Sequence, residues 1–216
     1  MSTEDRAIES LRANPGNLRG ELIGSLPKLF EQLRAIECRL VMLSPDAMYE
    51  SMWGYLGLMA RAYQLLICSI EQLANRNFNG FYASFRALVE TLCAVIWASA
   101  KPGRLRSLVE DSPVSIGKVL NAGYHKYPDL RKIYFVASEI AHPNRGGHLL
   151  SRIRGDDHRM FTPFALGFSE YFAEIKLNLL LDISLRLIDE FNVLVRVQGS
   201  ELTQGKIVAS RYWQTK

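Results

Sequence analysis

The chain has 216 residues, with 26 Lys and Arg against 22 Asp and Glu, a formal net charge of +4 and a sequence pI of about 9.0. At 48% hydrophobic and 22% charged residues it has the make-up of an ordinary globular chain, which argues against collagen-like, disulfide-scaffold and disordered classes. The length suits one domain, and the small charge excess is a weak signal for nucleic acid.

Residues 1–20 are polar, with Asn14-Pro15-Gly16-Asn17 as a turn cluster, and read as an arm or short helix. Ser25 before Pro27 predicts a helix to about Leu43, because Leu26, Leu29, Phe30, Leu33, Ile36 and Leu40 recur at helical spacing. Ser44-Pro45 supplies a stop and a new cap, and the next helix should run from about Asp46 to Asn75. Asn75 to Gly80 breaks it. A further long helix is expected to about Ala100, closed by Lys101-Pro102-Gly103.

That helix is apolar almost all round: Phe81, Phe85, Leu88, Leu92 and Val95 form one stripe, and Val89, Cys93, Ile96 and Trp97 another. Such a helix belongs at the centre of a bundle. Shorter helices are predicted from Ser112 (cap, with Pro113 at N1) to Ala122, and from Pro128 to Ile140. A closing helix should span Gly167 to Val197, with Phe168, Phe172, Ile175, Leu179, Ile183, Leu187 and Leu194 inward. Before it, alternation around Leu149 to Arg154 and the Gly155-Asp156-Asp157 turn predict a short β-hairpin or extended excursion, with Pro163 keeping its second strand at an edge.

The expected fold is therefore an all-α helical bundle with a short β-hairpin or extended insertion before the C-terminal helix. Its parts are an N-terminal arm and helix (1–45), the bundle (46–197, insertion near 148–165) and a polar tail (198–216). The cysteines Cys38, Cys68 and Cys93 stand singly in apolar helical stretches and read as core residues of a reducing compartment. The N-terminus opens acidic and polar, without a basic start and apolar core, so a cytoplasmic location is expected. Uninterrupted apolar runs such as Leu92 to Ala100 fall short of the roughly 20 residues a bilayer span needs, so no membrane association is expected.

Two polar groupings could carry chemistry. Arg86 and Glu90 are the only charges on the central helix and lie i,i+4 on one face, so their burial requires hydrogen-bonding partners. Glu139 and His142 are the expected residues to face them. Ser138, Glu139 and His142 share a face at a helix end before Pro143, where a histidine titrating near neutrality can act as general acid or base. Arg145, His148, Arg152 and Arg154, with Arg159 beyond, make a basic ribbon suited to phosphate contact, and Phe161 and Phe164 could stack on bases. His142, His148, Asp156, Asp157 and His158 match no metal-ligand spacing, and no phosphate loop or Gly-x-Ser-x-Gly elbow occurs, so no metal or cofactor is expected.

The central helix with Arg86-x-x-x-Glu90, the later helix ending Ser138-Glu-x-x-His142-Pro143 and the long closing helix together resemble the HEPN superfamily, or one of the uncharacterised bacterial helical families near it, over about residues 46–197. The resemblance implies a helical bundle, commonly dimeric, and in many members a metal-independent ribonuclease of toxin–antitoxin or phage-defence systems. The family motif is an Arg followed four to six residues later by His, the two acting on the scissile phosphate. His142 matches its histidine. The arginine is missing, with Val136, Ala137 and Ser138 standing where it should be, so the phosphate loses its obvious charge partner unless Arg86 or Arg145 substitutes. The resemblance thus implies a binding or interaction module with a degenerate site. The alternatives are a ribonuclease with His142, Arg86, Glu139 and Arg145 as its catalytic set and Glu90, Ser138, His148, Arg152 and Arg154 as substrate contacts, or a self-associating structural subunit. The expected partners are a second copy, RNA or another protein.

Overall fold

The computed structural model describes residues 1–15, 18–42, 50–101, 104–109, 114–141, 153–154, 160–161 and 168–202. The chain folds as an all-α bundle. Helix α1 (Thr3–Ala13) begins in a capping box in which the Ser2 hydroxyl accepts from the Asp5 N–H and the Asp5 carboxylate accepts from the Ser2 N–H, both at 3.1 Å. Its Ala7, Ile8 and Leu11 are buried in the main core.

Helix α2 (Gly20–Met42) starts a turn and a half earlier than the Ser25-Pro27 pair predicted. Ile23 and Leu26 are buried, so the apolar stripe continues backwards through Pro27, and Ser25 donates to the Leu22 carbonyl inside the helix instead of capping it. Helix α3 (Glu50–Ala74) ends in a left-handed residue, Arg76, with φ 55°. A side chain there is strained, but the Arg76 guanidinium offsets the cost by donating to the carbonyls of Leu73 (3.0 Å) and Asn14 (2.9 Å), tying α3 to the end of α1.

Helix α4 (Phe78–Ser99) opens with the Asn77 side chain accepting from the Gly80 N–H at 3.1 Å. Its two predicted apolar stripes are buried, apart from a half-buried Trp97, and it packs on α3 and on four further helices: α5 (Arg104–Val109), α6 (Ile116–Lys126), α7 (Leu130–Ala141) and α8 (Phe168–Leu202). It is the centre of the bundle. Among the described residues it is also the one helix long and apolar enough to cross a membrane by length and composition, and most of that stretch is buried inside the bundle. The run-length reading missed this because its two charges interrupt a stretch that stays apolar on average.

Helix α6 has Ser115 at its N-cap position, without a capping bond from its side chain, three residues later than the expected Ser112, which lies outside the described residues. Its Gly123 approaches α4 so closely that a Cβ there would collide with the Cys93 sulfur. On α8 the inner stripe runs through Ala173, Leu177, Leu180, Ile183, Leu187, Phe191 and Leu194, and Ile175, expected inward, is 40% exposed. Leu177 and Leu180 hold the core positions, which turns Ile175 towards solvent.

Ile153–Arg154 pairs antiparallel with Met160–Phe161, with Ile153 opposite Phe161 and Arg154 opposite Met160. Beyond this two-rung ladder, the insertion expected over 148–165 lies outside the described residues, as does the tail from residue 203.

Candidate functional site

The α4 pair is where the polar chemistry gathers. One helical turn separates Arg86 from Glu90, and the Arg86 Nε donates to Glu90 Oε1 at 3.1 Å. From α7 the pair is met by Tyr134, a residue absent from the expected partners Glu139 and His142. Its hydroxyl donates to Glu90 Oε1 at 2.9 Å, lies 3.3 Å from Arg86 Nε, and its ring sits under the Arg86 guanidinium at 5.4 Å. Burial alone would lower the Arg86 pKa, but the hydrogen bond and field of Tyr134 and the charge of Glu90 outweigh it and hold the guanidinium more firmly protonated.

Helix α3 adds a second cation. Arg61 donates from Nε to the Thr91 hydroxyl at 3.2 Å and brings Nη2 to 3.9 Å from Glu90 Oε2. Glu90 therefore lies between two guanidinium groups, its side chain 19% exposed, while Arg61 is 54% exposed and Arg86 27%. Beneath them, burial and then the charge of Glu90 push the Cys93 thiol up to about 12, so it is a packed thiol and no nucleophile. Tyr124 of α6 is likewise raised to about 12, chiefly by burial.

Glu139 is five residues beyond Tyr134, roughly 140° round the helix, and that rotation carries it off the face that meets α4. It forms no hydrogen bond or ion pair among the described residues. Ser138 does share the Tyr134 face, one turn on, and its hydroxyl oxygen is buried without a hydrogen-bond partner. His142, Arg145, His148 and Arg152 lie outside the described residues, and Arg154 is described by its backbone alone. Among the described residues no group of three or more His, Cys, Asp or Glu could hold a metal ion.

Two further polar groups escaped sequence reasoning. Glu190 on α8 is buried, yet fully used: Lys126 Nζ stands 2.7 Å from its Oε1 and the Tyr127 hydroxyl donates to the same oxygen at 2.8 Å. Burial, reinforced by that carboxylate, pushes the Tyr127 phenol up to about 12. Alongside, Arg186 meets Asp129 and Asp182, both at 2.8 Å, and lies over the Tyr127 ring. Lys176 is 3% exposed, with its ammonium 4.1 Å from the Phe78 ring centroid and 5.3 Å from that of Tyr82. Burial lowers its pKa to about 8. The signal for both was positional: each falls on the inner arc of α8 when the stripe is drawn through Leu177, Leu180 and Leu187.

Comparisons with protein-family models, with curated proteins and with solved structures found no match.

Proposed function

We propose that this chain is a HEPN-like helical protein that works as a binding or interaction module in the cytoplasm, in bacterial defence or stress response. The observation that carries the binding reading is the Arg86–Glu90–Tyr134 cluster. A general acid or base needs a group free to exchange its proton with a substrate, whereas here the phenol and the Arg86 Nε both point at the same carboxylate oxygen. The cluster is built to present charge at a helix seam. Phe135 and Val136, exposed on α7, support an interface with a second copy or another protein as part of this reading. The basic insertion with Arg145, His148, Arg152 and Arg154 belongs to it as an RNA-facing ribbon.

Incubating the purified chain with labelled single-stranded RNA in chelator tests the reading. The RNA is expected to remain intact. Cleavage that disappears in His142→Ala would overturn it in favour of a metal-independent ribonuclease, in which His142 moves the proton and Arg86 or Arg145 holds the phosphate.

A further inference from the structure

Helix α7 gives one side to the bundle and turns the other outward. Leu130 and Ala137 are buried and Tyr134 is bonded to Glu90, which accounts for the side that meets α4. Opposite them, Lys132, Phe135, Val136 and Glu139 fall within about 100° of arc. Lys132 is exposed, Phe135 is 64% and Val136 41% exposed, and Glu139 is half-buried. Two adjacent apolar side chains facing water lose apolar hydration when a partner covers them. Their flanking charges say which partner fits. Lys132 stands three residues before Phe135 and Glu139 three residues after Val136, so the order is cation, apolar, apolar, anion, centred between Phe135 and Val136. The two charges are about 10 Å apart along the helix axis. In the opposite chain direction the same helix reads anion, apolar, apolar, cation. A second α7 laid antiparallel therefore sets each Lys132 opposite the partner's Glu139 and packs the Phe135 and Val136 pairs between them, the isologous contact of a two-fold dimer. A purely acidic segment or an anionic membrane is drawn to Lys132 but repelled by Glu139, whereas a second copy meets both charges with their opposites.

We infer that the outer side of α7 is the surface through which two copies of this chain pair, antiparallel, about a two-fold axis passing between Phe135 and Val136. The inference rests on the interaction-module reading and deepens it by naming the partner as a second copy and the contact as one helix against itself. A pair of 12-residue helices buries little area, so the dimer is of the weak kind that dissociates on dilution.

The experiment is sedimentation equilibrium of the full chain across the micromolar range at low salt, with circular dichroism to confirm that each variant is folded. A monomer–dimer equilibrium is expected, and Phe135→Asp should abolish the dimer. Lys132→Glu and Glu139→Lys each set like charges together at both ends of the contact, so each should raise the dissociation constant about tenfold. The double variant Lys132→Glu with Glu139→Lys restores opposite charges at both ends and should bring the dimer back. A structural fault in either single variant would persist in the double one. A monomer at every concentration, which leaves the face to another protein or to another part of this chain, would overturn the inference. So would a dimer indifferent to Phe135→Asp, or a double variant no better than the single ones. RNA cleavage dependent on His142 overturns the module reading without changing the mass measured here, so the two failures are distinguishable.

Discussion

Glu90 and Glu190 are both carboxylates on long helices of one bundle, yet their surroundings differ in kind. Glu190 is sealed, its side chain 2% exposed, and ends in one ammonium and one phenol. Glu90 is 19% exposed and faces two guanidinium groups. The first arrangement spends its charge on holding the α6–α7 corner against α8. The second stays partly open to water. A sealed pair acts as a fastener, because any stranded charge would be costly in the interior; a half-open cluster holds its helices less tightly, because water shares the cost of its charges.

The contrast is sharpest when one partner is removed from the sealed group. Lys126→Met strands the Glu190 carboxylate without a cation, and the expected loss is about 3 kcal/mol in urea denaturation at pH 7. A loss below about 1 kcal/mol would show that water reaches Glu190 and that the two carboxylates are alike.

Lys176 supplies the next effect, with the opposite sign. Its pKa in the folded chain is about 8, below the free value of 10.5, so the folded form binds its proton less tightly than the unfolded chain. The cost of burying the charged ammonium is therefore fully present below pH 8 and disappears as pH rises from about 8 to 10.5. Lys176→Met should stabilise the fold by about 2 kcal/mol at pH 7, with the ring contacts offsetting part of the gain. That advantage should shrink steadily between pH 8 and 10.5 in parallel unfolding curves; a pH-independent difference would contradict the assignment.

The smallest effect belongs to the open cluster. Tyr134→Phe removes one hydroxyl from Glu90 and Arg86, but both remain partly hydrated and still bonded to each other, so a loss of about 1 kcal/mol is expected. A loss as large as that of Lys126→Met would mean that the two sites are equally closed.

Much of the architecture was legible beforehand. The stripes of α4, its central position and the isolation of Arg86 and Glu90 follow from spacing alone, since a helix apolar on every side has to be enclosed. The boundaries were less so. Ser25-Pro27 looks like a start signal, but burying Ile23 and Leu26 outweighs what an early proline costs. The candidate site was half legible: the α4 pair was found by its charge, whereas Tyr134 carries none and becomes visible only when α7 lies against α4. Lys176 and Glu190 were overlooked for the converse reason, because a charged residue on a helix is ordinarily solvated.

Periodicity and capping chemistry act between residues a few positions apart, and so the amino-acid order was enough to specify an all-α chain with α4 enclosed at its middle. Which ionisable groups are sealed, which stay open and which meet across the bundle depends on helices joined by long stretches of chain. Solvent access and the balance of opposing charges are properties of that assembled packing, and they exist nowhere in any single helix.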